Sequence, residues 1–495
     1  MSYRDEADAV LGGRGSVGLD GRVWSLLHEA LDVYRDSRAG TEELRIQLAR
    51  FETPLRIAVV GGWRSGKSTL INAVLGEEVA PVEVPTGGTV LTWYEDGPEP
   101  RAIAYADGGV TGELAVSRSA GGLRVDLGGW RPGRIDDVVV RWPTRTLRHA
   151  TFLDTPAPAT DDAVASRILR EADALLYLTR DGREEDLRFL ESVQQGMVGP
   201  AAPVNVIMVL SRADELGGGR IDALLTATRL ARRQRRDPRI GSLVVSVVPL
   251  AGLVALAGRL LSDADFAALG TLAALPRPEL DECLLSTDRF LGQSIPVPLD
   301  VVTRRALLDR FGIFGIRLAT TLVRTGCGTR AALAAELVRR GGLTELREAL
   351  ARYFLDRRET LKARTALVGL AAVLRAEPRS GSRELLARLE EILAGTHDFR
   401  ELRLLAALRD GRVQFEGELA DEAVPLLGGN GTPPAARLGV DHDATGAELW
   451  ARGTAALRRW QHRAEDPLLD RERRLAARTV VRSCEGILAE LYRQG

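Results

Sequence analysis

The sequence predicts two architectures in one chain: an α/β domain with a doubly wound, mostly parallel sheet, followed by an elongated all-α helical bundle. Three observations carry this expectation. An apolar run, a glycine loop and a helical pattern follow one another over residues 55 to 76, L-R-I-A-V-V-G-G-W-R-S-G-K-S-T-L-I-N-A-V-L-G. Between about 55 and 255, short β-branched runs alternate with helical periodicity, the pattern of parallel strands joined by crossover helices. After about 255 strand signals nearly vanish, and Leu, Ala, Arg and Glu recur at helical spacing almost to the end.

Taken in order, residues 1–20 are glycine-rich and polar, which predicts disorder. Residues 21–53 carry Leu26, Leu27, Leu31, Val33, Leu44, Ile46 and Leu48 at helical spacing. They read as one long helix, or a pair broken near Gly40, joining the helical bundle. Within 54–265, strands are expected at 55–60, 89–95, 101–105, 136–141, 149–153, 173–178, 204–210 and 242–248. Helices are expected near 67–75, 161–171, 183–196 and 218–235. Helices also fill 266–343. In 344–495, Thr344 caps a helix running from Glu345 to about Glu377 and stopped by Pro378, roughly 50 Å at 1.5 Å per residue. Further helices fit 383–394, 398–409, 445–465 and 468–493, with Gly428 to Pro434 (G-G-N-G-T-P-P) as a breaker between them.

Gly61 to Ser68 fits G-x-x-x-x-G-K-[ST], and it lies between an apolar strand and a helix, the context this loop requires. Glycines let backbone N–H groups close around phosphate oxygens, and the new helix adds its positive end. The candidate nucleotide contacts are Gly61, Gly62, Trp63, Arg64, Ser65, Gly66, Lys67, Ser68 and Thr69. Lys67 reaches the β- and γ-phosphates and Ser68 holds Mg²⁺. Among 67 Lys plus Arg, lysine occurs only at Lys67 and Lys362. A chain that writes arginine almost everywhere keeps a compact ammonium where a planar guanidinium fits poorly. Arg64 carries two readings: a solvated loop cation, or an arginine finger in cis that stabilises charge on the β–γ oxygens.

The remaining motifs follow in the order a GTPase needs. In E-V-P-T-G-G-T-V-L-T-W-Y, Thr86 is the candidate switch residue, its hydroxyl on Mg²⁺ and its backbone on the attacking water, with Thr89 as the alternate. Asp154 ends an apolar strand in Phe152-Leu153-Asp154-Thr155-Pro156 and holds Mg²⁺ through a water. Ala157 stands where D-T-P-G has its glycine; its N–H can meet the γ-phosphate, but its Cβ restricts the peptide flip. That points to slow or conditional hydrolysis. Ser211-Arg212-Ala213-Asp214 occupies the place of [NT]-K-x-D. The Asp214 carboxylate accepts both guanine N1–H and N2–H₂, which favours GTP over ATP, and the Arg212 stem can cover a base face.

Composition bounds the rest. The length of 495 residues suits two to four domains, and a net charge of −1 gives no global field toward nucleic acid. Cys283, Cys327 and Cys484 are scattered and odd in number, expected as reduced thiols in a cytosol. The acidic start M-S-Y-R-D-E-A-D has no apolar core, so no secretory signal is expected. Gly241 to Ala257 is free of charge but interrupted by Pro249 and Gly252; it reads as a buried strand running into a loop and helix, so any membrane contact is peripheral. The basic run Arg232 to Arg239 reads as a solvated helix end or a contact to anionic lipid.

The motif set, the N-terminal helix and the long helical half resemble the dynamin superfamily of large GTPases, and within it the bacterial dynamin-like proteins of actinobacteria, especially the smaller isoniazid-inducible type of mycobacteria. The stretches that carry the resemblance are S-R-A-D-E (211–215), G-R-I-D-A (219–223), L-L-S-T-D-R-F (284–290), R-F-G-I-F-G-I-R (310–317), L-K-A-R-T-A-L-V (361–368), F-R-E-L-R-L-L (399–405) and A-A-R-L-G-V (435–440). The resemblance implies a P-loop GTPase domain over 54–265, neck helices over 266–343 and a helical trunk over 344–495. It implies GTP and Mg²⁺ as ligands, a homodimer through the GTPase domains, or pairing with a paralogous dynamin-like protein, and remodelling of an anionic phospholipid membrane. The protein is then cytoplasmic, peripheral on the inner face of the cytoplasmic membrane, and takes no nucleic acid. Pro378 to Ser382 and Glu465 to Leu469 are both candidate trunk tips. Dynamins proper carry Gln-Ser where this chain has Trp63-Arg64, an arrangement closer to guanylate-binding proteins and atlastins, which use that arginine in cis. Two other readings compete: a GTP-binding membrane scaffold with little hydrolysis, and a soluble assembly GTPase.

Overall fold

The computed structural model describes residues 19–80, 82–83, 90–106, 109–119, 122–126, 130, 134–156, 162–195, 205–219, 222–241, 243–292, 298–409, 411–441 and 443–494. Among the described residues, eleven strands form one sheet. They are β1 (Leu55–Gly61), β2 (Val82–Glu83), β3 (Leu91–Asp96), β4 (Arg101–Ala106), β5 (Val110–Ser119), β6 (Gly122–Asp126), β7 (Ile135–Trp142), β8 (Ala150–Asp154), β9 (Ala174–Thr179), β10 (Val206–Ser211) and β11 (Ser246–Leu250). Their order is β11-β10-β9-β1-β8-β3-β7-β4-β5-β6-β2. The first five strands of that order are parallel throughout. β3 turns antiparallel to β8 and runs parallel to β7; β4, β5 and β6 continue antiparallel. β1, β9 and β10 are buried on both faces, which is why they read as continuous apolar runs.

The sixteen helices used below are α1 (Leu19–Val33), α2 (Arg38–Glu52), α3 (Lys67–Leu75), α4 (Asp162–Glu171), α5 (Glu184–Gln195), α6 (Ala223–Arg236), α7 (Gly252–Leu260), α8 (Asp263–Ala273), α9 (Val301–Arg324), α10 (Arg330–Arg340), α11 (Leu343–Tyr353), α12 (Arg358–Ala376), α13 (Ser382–Gly395), α14 (His397–Arg409), α15 (Gly446–Glu465) and α16 (Arg471–Gln494). Eight expected strands and most expected helices are present within a few residues, and Gly241 to Ala257 does pass from β11 into α7.

Five expectations are corrected. Helix α1 begins at Leu19, inside the segment expected to be disordered. It and α2 are a pair, broken at Tyr34 to Ser37 and not at Gly40; the Ser37 hydroxyl caps α2 by accepting from the Gly40 amide at 3.0 Å. The single helix expected from Glu345 to Glu377 is two, α11 and α12, separated by a 3₁₀ turn at Leu355–Arg357. Gly342, in the left-handed region, caps α11 in place of Thr344. The break buries Phe354 completely and sends the Arg357 guanidinium to the carbonyls of Leu427 and Gly428. Finally, β2, β5 and β6 were not expected.

One apolar core runs from the α3 face of the sheet into the bundle, taking in Ile57, Val59, Leu343, Leu370 and Trp460. The opposite sheet face has its own core around Val60, Leu153 and Tyr177. A third core lies among α7 to α10. The bundle meets the sheet at the N-terminal ends of its central strands. There Arg50 of α2 and Asp173, 2% and 1% exposed, form an ion pair at 3.7 Å, and Arg56 bonds Glu171 at 3.1 Å. Lys362 of α12 donates to the carbonyls of Phe51 and Thr53. Deeper in the bundle, the Glu401 carboxylate accepts from Arg437, from the Ser483 hydroxyl at 2.6 Å and lies 3.1 Å from His397 Nε2. Burial alone would raise its pKa, but Arg437, His397 and Ser483 outweigh burial and hold it at about 2.

Candidate functional site

The loops that follow β1, β8 and β10 all leave the C-terminal edge of the parallel strands, and the candidate residues collect there. The β1–α3 loop is tightly packed. A Cβ at Gly61 would sit 2.6 Å from the Leu178 carbonyl oxygen and 2.7 Å from Ser65 Oγ. Gly66 caps α3 at φ 95°, a conformation side chains rarely adopt. Its carbonyl accepts the first helical bond from Leu70 N at 2.9 Å. Lys67 Nζ turns back into the loop and donates to the carbonyls of Gly61 at 2.9 Å and Gly62 at 3.2 Å. Burial lowers the Lys67 pKa, and Asp154 partly opposes that. The Ser65 hydroxyl is buried without a hydrogen-bond partner among the described residues. Within the described residues, a buried hydroxyl with no partner and, two residues on, an ammonium that donates to loop carbonyls fit an anionic group entering the loop.

Asp154 closes β8 in register with Val59 of β1. Its Oδ2 accepts from Ser68 Oγ at 3.1 Å, which brings the two candidate Mg²⁺ ligands together. Burial pushes the Asp154 carboxyl up to about 6, although Lys67 and Ser68 draw it down. A half-buried carboxylate and hydroxyl, adjacent to each other, fit a hard divalent ion. The Thr155 hydroxyl is committed to the Val59 carbonyl at 3.0 Å. Thr69 packs against the Gly252 end of α7. Thr86, Thr89 and Ala157 lie outside the described residues.

At the base end, Asp214 lies in the first turn of a 3₁₀ helix (Ala213–Gly218) after β10 and forms no ion pair among the described residues. Burial raises its pKa. Ser211 does not face that side: its buried hydroxyl donates to the Thr179 carbonyl at 3.2 Å and ties β10 to β9. Arg212 reaches the phosphate loop, its Nε donating to the Arg64 carbonyl at 3.1 Å. Arg64 and Arg212, at φ 57° and 53°, are the non-glycine residues at positive φ among the described residues. Such conformations cost of order 1–3 kcal/mol and concentrate at functional sites. Trp63 is 83% exposed on the same face.

Sequence reasoning missed Asn72. On the buried side of α3 it accepts from the amides of Val79 and Ala80 at 2.9 and 2.7 Å and donates to the Ala80 carbonyl, fixing where the chain enters the segment that holds Thr86. An amide within an otherwise apolar helix face was the available signal. It also missed Arg259 and Arg347 at the other end of α3: Arg347 donates to the Val74 carbonyl at 3.0 Å, and the Arg259 guanidinium lies where a Cβ on Gly76 would stand.

No family model matches the chain. Among curated proteins it is 37% identical over 485 residues to the isoniazid-induced protein IniC of Mycobacterium tuberculosis, covering 95% of this chain and 98% of that one. It is 29% identical over 253 residues to the tRNA modification GTPase MnmE of Acidiphilium cryptum, covering 50% of this chain and 42% of that protein. A third match, 26% identical over 196 residues, is to dynamin-like protein A of Bacillus subtilis and covers 37% of this chain and 16% of that one. The likeness to IniC runs through both the sheet domain and the helical bundle, and the chain belongs to the IniC family of bacterial dynamin-like proteins.

Proposed function

We propose that the chain binds GTP with Mg²⁺, hydrolyses it, and couples turnover to dimerisation across the nucleotide face and to remodelling of the cytoplasmic membrane from its inner side. The observation that carries this reading is the convergence of Lys67, Ser68 and Asp154 at one strand edge, with Asp214 on the neighbouring loop. Residues 61–69 hold the phosphates, Ser68, Asp154 and Thr86 hold the ion, and Asp214 reads the guanine edge. Bound Mg²⁺ supplies charge neutralisation on the β–γ oxygens. Arg64, whose side chain forms no ion pair among the described residues, adds a second positive charge there. Residues 54–265 act as the GTPase domain, 266–343 as the neck, and 344–495 with the N-terminal helices as the trunk.

Membrane contact is peripheral in this reading: among the described residues no helix is long and apolar enough to cross a bilayer. Of the two tip loops, Pro378 to Ser382 packs on the α1–α2 turn, with Arg379 over the Tyr34 ring and Ser382 buried. The loop between α15 and α16 instead holds Leu468 92% exposed, with Leu475 exposed one turn into α16 and Arg471 and Arg474 nearby. That favours the second loop as the lipid contact.

The test is calorimetric GTP binding and vesicle cosedimentation. Lys67→Ala should lose measurable GTP binding, and the wild type should pellet with anionic vesicles more strongly in the presence of a GTP analogue. Unchanged affinity in Lys67→Ala sinks the nucleotide reading; the absence of any vesicle binding sinks the membrane one.

A further inference from the structure

Two arginines adopt the left-handed backbone conformation, and they are bonded to each other across the site. Arg64 lies in the loop after β1 and Arg212 in the loop after β10, and Arg212 Nε donates to the Arg64 carbonyl at 3.1 Å. The head of Arg212 is itself held. Its Nη1 donates to Glu215, whose carboxylate also lies 3.9 Å from Arg180, the residue after β9. Arg180, Glu215, Arg212 and Arg64 thus form one polar chain over the C-terminal ends of β9, β10 and β1, three strands that are neighbours in the sheet.

We propose that Arg212 is a positioning residue: it holds the Arg64 backbone left-handed, and so sets the direction of the Arg64 side chain from the base-reading loop. The backbone conformation at a residue fixes its Cα–Cβ direction, and an arginine leaves the left-handed region unless something holds it there. Covering a base needs only the apolar stem of Arg212, so the placement of its head on the Arg64 carbonyl is a separate feature. Arginine suits this double duty because its rigid fork presents Nε and Nη1 to two acceptors at once, which a lysine ammonium on a flexible stem does less well. A base seated against the stem then presses on the group that orients Arg64. The inference rests on the reading of Arg64 as the cation that acts on phosphate charge.

The test is a double-mutant cycle with a second, hydrolysis-independent readout. Arg212→Met keeps the apolar stem and removes the donor. At saturating GTP and Mg²⁺ it should lower the single-turnover rate about 10- to 100-fold, the scale of one lost charged hydrogen bond, with KM nearly unchanged. In an Arg64→Ala background the same change should cost less than about twofold, since the two residues act as a unit. Arg212→Lys should restore part of the rate. In the nucleotide-free protein labelled with 5-fluorotryptophan, the Trp63 ¹⁹F resonance, assigned by Trp63→Phe, should shift or broaden in Arg212→Met, because Trp63 adjoins Arg64. An unchanged Trp63 resonance overturns the strap. Additive rate effects, or a raised KM with an unchanged rate, overturn the positioning role and leave Arg212 as a base contact. A wild-type rate in Arg64→Ala removes the finger reading itself, and a shifted Trp63 resonance alongside it separates that failure from failure of the strap.

Discussion

The two edges of the central parallel sheet place cations differently. At the C-terminal edge, among the described residues, Lys67 donates only to carbonyls of its own loop, Ser65 Oγ has no hydrogen-bond partner, and Trp63 stands exposed. At the N-terminal edge, Arg50, Arg56 and Lys362 bind groups on other elements: Glu171, Asp173 and the carbonyls that end α2. Both lysines of the chain are used, one at each edge. The difference supports the proposal that the nucleotide binds at the upper edge. Lys67 holds only carbonyls of its own loop among the described residues, whereas the lower cations pair with carboxylates and carbonyls of other elements and so hold the helical bundle to the sheet.

Variants should separate the edges. The largest effect belongs to the upper one: Arg64→Ala should leave GTP affinity nearly intact and slow single-turnover hydrolysis by about 10³-fold, the scale of lost arginine fingers. Arg64→Lys should rescue it incompletely. Next comes the lower edge. Asp173→Ala removes the fully buried one of the two carboxylates beside Arg50, leaving Glu171 at 3.6 Å, and should cost about 3 kcal/mol in denaturant unfolding, with GTP affinity unchanged. If that variant instead lost GTP binding at full stability, the division between the edges would be wrong. Asp214→Asn should weaken GTP about tenfold or more and relax discrimination against xanthine nucleotides, read by competition binding. The smallest effect lies far from both edges. Glu401→Gln should cost about 1.5 kcal/mol near neutral pH. The wild-type carboxyl, held at about 2, titrates below its unfolded value near 4.3, so its contribution is complete above the unfolded value and fades as pH falls toward 2. The gap between wild type and variant should therefore close on acidification; a gap that widens below pH 4 would contradict the assignment.

What could be read from the sequence follows how local the cause is. Helix α3 begins and ends where its glycines and periodicity place it, because loop, helix start and cap all lie within a dozen residues. The break at Phe354 was hidden because its cause is remote: Arg357 meets the Leu427 and Gly428 carbonyls some seventy positions away, while the apolar period continues across the junction. The β5–β6 hairpin was missed because β5 is largely exposed and carries Gly112, which packs directly under Trp130. At the site, Lys67, Ser68 and Asp154 were legible as a motif. The turning of the Ser211 hydroxyl to the Thr179 carbonyl was not, since a motif states residue types and not which way a hydroxyl rotates.

Helix α3 has a mechanical consequence. It is a strut about 13 Å long. One end is the phosphate loop; the other is seated on Arg347 of α11, with Arg259 of α7 packed against its terminal glycine. A strut seated at both ends cannot tilt at one without displacing the other. Any ligand that shifts Lys67 toward itself therefore tugs on α11, the first helix after the Gly341-Gly342 pair, where a Cβ at either glycine would collide with backbone of β11 or α7. That joint is close-packed, so the phosphate loop and the first bundle helix are linked through contacts that leave no room for local give.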